Sequence, residues 1–262
     1  MAKHNFETIR YVTKDMVAYI TLNRPEVHNA FNDIMIKELI IVFKELKEKN
    51  EVRVVILTGE GKSFCAGADL NWMKKIKDYS YEDNLKESLD LAEMFYLIYS
   101  CPKPTIGRIN GTAIGGGTGL VAVCDIAVAS AEAKFSFSEV KLGLIPACIS
   151  PYVIRKCGEG RCREFFLTGE RITAEKALSA GLVNRVVPLE EIDKAVNEMA
   201  EQLRSSGPEA IKKCKELLSK VPQMTFDEFK RYTAEVIAQM RISEEGQEGM
   251  AAFLEKRNPK WL

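Results

Sequence analysis

Three stretches carry residue types that can act together on a carbonyl compound. The first, INGTAIGGGTGLVAVCD at 109–125, leaves an apolar strand end, passes Gly115, Gly116 and Gly117, and enters a helix of small apolar residues. Glycines there let backbone N–H groups approach a ligand with no Cβ in the way, and the helix adds the positive end of its dipole. The second, Ser63-Phe-Cys-Ala-Gly-Ala-Asp-Leu70, offers its backbone similarly through Ala66, Gly67 and Ala68. Two such N–H groups aimed at one oxygen make an oxyanion hole. The third, FSFSEVKLGLIP at 135–146, holds Glu139 in apolar surroundings just before a turn at Gly143. A desolvated carboxylate has a raised pKa and can exchange protons with carbon or water near neutral pH. Each stretch alone also reads as a plain feature: a turn chosen for packing, or a solvated surface glutamate.

Competing chemistries find little support. Gly61-Lys62-Ser63 ends like a phosphate loop, but Ile56 stands where its first glycine belongs. Gly115-x-Gly117-x-x-Leu120 lacks the third glycine of a dinucleotide fingerprint. A Ser–His–Asp triad or a histidine-rich metal site has only His4 and His28 to draw on. No metal is expected.

The elements that must position the three stretches alternate. Residues 16–22 and 53–58 read as strands, with a helix over 31–47 between them. The 59–70 loop then leads to a helix over 81–99. Pro102 and Pro104 break that helix, and strand 105–110, the glycine helix and strand 126–129 follow. A short strand at 134–138 and a helix opening at 150–156 come next. Strand–helix alternation predicts an α/β assembly with a largely parallel sheet. Both backbone-donor loops leave a strand C-terminus, where such sheets bind ligands. From about residue 190 four helical stripes predict an all-helical C-terminal portion. We therefore divide the chain at 1–195 and 196–262. No internal repeat is legible.

A chain of 262 residues with 46% hydrophobic and 28% charged residues is ordinary for a soluble globular protein. Its formal net charge of zero argues against nucleic acid or an acidic membrane surface as partner. No apolar run approaches the length of a membrane span, and the amino terminus does not read as a signal peptide. Seven scattered cysteines without a C-x-x-C pair point to reduced thiols and a cytoplasmic setting.

In their order and spacing, six blocks of this chain resemble the enoyl-CoA hydratase/isomerase (crotonase) family. They are RPEVHNAF (24–31), SFCAGADL (63–70), the glycine stretch (109–125), FSFSEVKLGLIP (135–146), LTGERITAEKALSAGLVNRVVP (167–188) and EGMAAFLEKR (248–257). The resemblance implies a ClpP-like spiral of ββα units with a C-terminal helical trimerisation region, assembled as a trimer or dimer of trimers. It implies an acyl-CoA thioester substrate and no separate cofactor, coenzyme A being part of the substrate. Ala68 and Gly116 are then the oxyanion donors and Glu139 the catalytic carboxylate. Ala66, Asp69, Leu70, Trp72, Met73, Gly115, Gly119, Pro146, Ala147 and Cys148 are implied around the substrate, the backbone near Ala66 meeting the adenine. Arg24 and Lys256 are implied as partners for CoA phosphates, Lys256 reaching in from a neighbouring subunit.

One departure matters. Family hydratases commonly carry a second glutamate two residues after the glycine run, where this chain has Gly119. The loss fits a Δ3,Δ2-enoyl-CoA isomerase using Glu139 as sole base, and an inactive acyl-CoA-binding scaffold would share it. A closer resemblance points to hydration. FCAGADLNWM, GGGTGLVAVCD and SEVKLGLIPACISPYV are similar to bacterial hydratases of 3-methylglutaconyl-CoA, from leucine degradation, and of isohexenylglutaconyl-CoA. These also carry glycine at this position, and Ile-Ser-Pro where many relatives have Gly-Gly-Thr. The acyl pocket is expected from Trp72, Met73, Met94, Cys148, Ile149 and Tyr152, with Lys74, Lys75 or Arg155 as candidate cations for a glutaconyl carboxylate.

Overall fold

The computed structural model describes residues 5–262; His4 lies outside them. In chain order the elements are β1 (Ile9–Lys14), β2 (Val17–Leu22), α1 (Asp33–Glu48), β3 (Val54–Gly59), β4 (Ser63–Cys65), α2 (Leu70–Ile76), α3 (Tyr81–Tyr99), β5 (Thr105–Ile109), β6 (Thr112–Ile114), α4 (Gly116–Val123), β7 (Ile126–Ser130) and β8 (Lys134–Ser136). There follow α5 (Ser150–Thr168), β9 (Arg171–Thr173), α6 (Ala174–Ser179), β10 (Arg185–Val187), α7 (Ile192–Arg204), α8 (Pro208–Lys220), α9 (Phe226–Ile242) and α10 (Glu244–Glu255).

The strands form two sheets, ordered β1-β2-β3-β5-β7-β10 and β4-β6-β8-β9. Among the described residues, only β1–β2 and β8–β9 pair antiparallel. Each passage through β3–β4, β5–β6 and β7–β8 leaves one strand in each sheet before a helix returns the chain. That is the spiral of ββα units the family resemblance implies. The repeat is invisible in the sequence because the second strand of each unit is three residues long, too short for a period-2 pattern.

The larger sheet is buried on both faces, and β3 shows why its sequence is continuously apolar. Val55 and Leu57 point into the main core, while Val54 and Ile56 point the other way against Ile192, Ala195, Val196 and Ala200 of α7. Helix α1 starts two residues later than the apolar spacing predicts, because Asn32 caps it by accepting the Met35 N–H at 3.0 Å. Its buried stripe of Met35, Ile36, Leu39, Val42, Phe43 and Leu46 covers the main core.

Several expectations are corrected. Strand β1, the three-residue strands β4, β6, β9 and β10, and helix α2 are absent from the sequence reading. The helix opening at Ser150 runs to Thr168 and is broken at Gly158 (φ 74°, ψ 157°). The boundary placed at 195–196 falls inside α7, whose buried face belongs to the sheet's second core. The separate helical region begins at α8, and Lys215 ties it back by an ion pair with Asp125. Among the described residues no helix is long and apolar enough to cross a membrane.

Candidate active site

The three chemical stretches all lie just beyond the ends of β4, β6 and β8, neighbouring parallel strands of the smaller sheet. Ala68 follows the end of β4, Gly116 that of β6, and Glu139 that of β8.

The loop carrying Ala68 is stitched to residues 24–31. Ala66 N–H donates to His28 O at 2.9 Å, Phe31 N–H to Gly67 O at 2.8 Å, and Asp69 N–H to Phe31 O at 3.0 Å. Phe31 and Ala68 thus form a parallel bridge. In such a bridge the residue flanked by both hydrogen bonds turns its own N–H to the opposite side. Ala68 N–H therefore points away from Phe31. On that side lies the glycine loop: a Cβ built on Gly67 (φ 89°) would sit 2.8 Å from Ile114 O and 3.9 Å from Gly116 N. Only glycine permits this approach.

At the second loop, Gly115 N–H donates to Ser136 O at 2.8 Å, and Thr118 Oγ1 is shared between Ser136 O and Ala113 O at 3.0 and 2.8 Å. This clasp fixes the start of α4 to the end of β8. Gly116 is the first residue of α4, so its N–H has no intrahelical acceptor. Gly115 turns the chain at φ 53°, and a Cβ there would press on Glu139, whose Oε1 is 3.0 Å from that point.

Glu139 stands in a 3-10 turn, Ser138–Leu142, closed by Gly143 in the left-handed region. Its Oε2 is buried with no hydrogen-bond partner. Burial pushes its pKa above the usual carboxylate value, opposed by a hydrogen bond from its own backbone N–H. A half-buried, unpaired carboxylate oxygen beside an unpaired helix-start N–H is suited to proton transfer next to a developing oxyanion.

One helical turn along α4, Gly119 N–H donates to Gly115 O at 3.1 Å. A Cβ on Gly119 would fall 2.9 Å from Ile149 Cβ and 3.2 Å from Phe95 Cε1, and would overlap Ile149 Cγ2. Ile149 therefore fills the space that a side chain at position 119 would need. No carboxylate stands there because an isoleucine from the start of α5 does.

The remaining expected residues divide. Asp69 is 4% exposed and works inward. One oxygen caps α2 by accepting the N–H groups of Asn71 and Trp72 at 2.7 and 3.1 Å; the other pairs with Arg24 at 2.9 Å. Burial raises the Asp69 pKa, but the Trp72 and Asn71 donors and Arg24 outweigh it and hold the carboxyl below its ordinary value. Arg24 also donates to Ala30 O at 2.5 Å. Both side chains hold the Ala68 loop. Trp72 is likewise buried, its ring edge-on to Phe31 and its Nε1 donating to Glu87 at 2.8 Å. Met73 is half-buried on α2, whereas Leu70 is 75% exposed. Pro146 is buried, Ala147 exposed, and Cys148 half-buried with its Sγ 3.7 Å from Ser88 O of α3. Met94 is wholly buried, and Tyr152 packs on Phe95 and Tyr99. Lys74, Lys75 and Arg155 are exposed. Lys256 is an exposed left-handed C-cap of α10, which packs on α8 and α9. Among the described residues no three His, Cys, Asp or Glu side chains gather as a metal cluster would. Sequence reasoning missed Phe31 as a structural bridge; its position in the 24–31 block was the available signal.

The family profile described as enoyl-CoA hydratase/isomerase matches residues 12–262. A protein of Clostridium acetobutylicum named short-chain-enoyl-CoA hydratase is 35% identical over 243 residues, 92% of each chain. The crystal structure of an enoyl-CoA hydratase from Shewanella pealeana superposes with a TM-score of 0.95 at 40% identity, covering 98% of this chain and 97% of that one. One from Legionella pneumophila, described as a candidate enoyl CoA hydratase/isomerase (crotonase), superposes with a TM-score of 0.92 at 44% identity, covering 97% and 99%. The chain belongs to the enoyl-CoA hydratase/isomerase family and has the crotonase fold.

Proposed function

We propose that the protein is an enoyl-CoA hydratase with one acid–base group. The observation that carries this is the orphaned Glu139 Oε2 beside the start of α4, a buried acceptor that a bound water would satisfy. Ala68 and Gly116 N–H hold the thioester oxygen of a 2,3-unsaturated acyl-CoA. Glu139 takes a proton from the water as its oxygen bonds to C3. The C2=C3 π pair moves toward the thioester, giving an enolate whose oxygen charge the two donors stabilise. Glu139 then delivers the proton to C2, which restores the carboxylate. Coenzyme A belongs to the substrate, and no further cofactor takes part.

Ile149 (3% exposed) and the buried Phe95 back an apolar wall beside Gly119, and the acyl group, taken here as a 3-methylglutaconyl-type chain, lies in front of it. Pro146, Ala147 and Cys148 lie in the segment leading to that wall, while Met73 and Leu70 border the donor loop. The Ala66 N–H is spent on His28 O, so its carbonyl is the group that would meet an adenine. Exposed Phe253 (82%) and Leu254 (79%) on α10 support assembly into a trimer or dimer of trimers, with Lys256 offered to the phosphates of a neighbour's coenzyme A.

Loss of enoyl-thioester absorbance with crotonyl-CoA or 3-methylglutaconyl-CoA tests the reading. The filled space before Gly119 favours a second one, Δ3,Δ2-isomerisation by Glu139 alone. It predicts the opposite signal, a rise in that absorbance from 3-hexenoyl-CoA. Tight CoA binding with neither signal would leave an inactive scaffold.

A further inference from the structure

The residue that the geometry carries furthest is Phe31. We propose that Phe31 is the positioning residue that holds the two backbone donors in mutual register. The inference rests on the reading of Ala68 and Gly116 as those donors.

Phe31 touches both halves through different parts of itself. Its main chain forms the bridge to Ala68, donating to Gly67 O and accepting from Asp69 N–H, which fixes the direction of the Ala68 N–H. Its ring packs on the Cα of Gly116: a Cβ there would overlap Phe31 Cζ and lie 2.8 Å from Cε1. The ring therefore sets how closely α4 can approach the Ala68 loop. The ring is itself immobilised. It is 2% exposed, and Trp72 meets it edge-on at 6.1 Å, anchored in turn by Glu87. No other described residue combines a main-chain bridge to one donor with a ring packed on the other.

Side-chain variants separate the two roles, because truncating the ring leaves the main-chain bridge intact. Phe31→Ala should free the start of α4 to shift while Ala68 stays in place. A misplacement near 1 Å lowers catalysis by about 10²-fold, comparable to the lower end for losing one oxyanion donor, about 10²–10³.

The experiment compares wild type, Phe31→Ala, Phe31→Leu and a control, Phe43→Ala, truncated at an equally buried core phenylalanine of α1. It reads crotonyl-CoA hydration, and the infrared carbonyl band of bound [1-13C]butyryl-CoA, a saturated thioester that cannot be hydrated. The expected result is a kcat about 10²-fold lower in Phe31→Ala and about 10-fold lower in Phe31→Leu, with KM within about threefold of wild type. The carbonyl downshift should shrink in the same order, and Phe43→Ala should keep its kcat per folded molecule. Should Phe31→Ala fail to fold, Phe31→Leu and Phe31→Met carry the test. Unchanged kcat and carbonyl band in the Phe31 variants, or an equal loss in Phe43→Ala, would overturn the proposal. Absence of any downshift in the wild type would instead overturn the donor assignment itself.

Discussion

A side chain at position 119 would need volume that Ile149 fills, so a change at one position should alter the size of a change at the other. Alanine at a helix-interior glycine ordinarily stabilises by about 0.5–1 kcal/mol, and Gly119 lies inside α4 with ordinary helical backbone. Here the new Cβ would stand 2.9 Å from Ile149 Cβ, overlapping its methyl, and 3.2 Å from the Phe95 ring. Ile149 is 3% exposed and cannot swing into solvent. Overpacking of this kind destabilises by about 1–3 kcal/mol, which outweighs the propensity gain. Gly119→Ala should therefore lower stability by about 1–2 kcal/mol. Ile149→Ala alone should lower it by about 2–5 kcal/mol through the cavity it leaves. Ile149→Ala removes the overlapping Cγ2 but keeps the Cβ at 2.9 Å, so in that background Gly119→Ala should cost about 1 kcal/mol less than in the wild type. A coupling of about 1 kcal/mol lies within the range for residues in direct contact. Urea unfolding of the four proteins at one protein concentration measures it. A Gly119→Ala change that has the same size in both backgrounds would refute the argument that Ile149 excludes a side chain at 119.

Other outcomes follow from the same geometry. Glu139→Gln should reduce turnover by about 10²–10⁴-fold with little change in CoA affinity; activity assays with binding of free CoA check this. Because burial raises the Glu139 pKa, the folded state holds its proton to a higher pH than the unfolded one, and the carboxylate lowers stability increasingly as pH rises through the folded value. Glu139→Gln should thus melt higher than wild type at pH 8, with the advantage fading toward pH 4. Gly116→Val should drive a branched side chain into the Phe31 ring and displace the N–H, lowering kcat by about 10²–10³, as read by steady-state hydration. Asp69→Asn should lower stability by about 3 kcal/mol, the low end for breaking a mostly buried pair. Since the Asp69 carboxyl is held below its ordinary value, its contribution is complete above the unfolded pKa and disappears as pH falls through the folded one; thermal melts across pH 2–6 read the loss.

Much of this molecule was legible in its sequence where the signal is local. Strand–helix alternation announced the parallel sheet, and glycines at 115–117 announced backbone approach to something. Glu139 drew attention through its apolar neighbours. What was not legible depends on contacts between distant segments. Arg24 reads as a free cation until Asp69, 45 positions on, is seen to claim it. Gly119 reads as a missing carboxylate until Ile149, 30 positions on, is seen to occupy its place. The three-residue strands contain too few side chains to show alternation, so the smaller sheet, which bears the whole candidate site, left the faintest trace.

That smaller sheet works as a ruler. Three adjacent parallel strands deliver Ala68, Gly116 and Glu139 from their downstream ends, so the lateral spacing of the groups follows from the ladder. Neighbouring strands lie about 4.8 Å apart. Two N–H groups at that separation, each about 2.9 Å from a shared oxygen, meet it at an angle near 110°, a comfortable convergence for two hydrogen bonds to one acceptor. Strand spacing is common to every sheet, so the coarse separation of the two proposed donors is inherited from backbone periodicity, and the Phe31 ring against Gly116 sets the finer approach. Glu139, on the third rung, supplies a side chain rather than a backbone group, and backbone spacing does not dictate its identity. Chemistry in such a framework can diverge by replacing residues at that rung while the oxygen receptor stays where the ladder puts it.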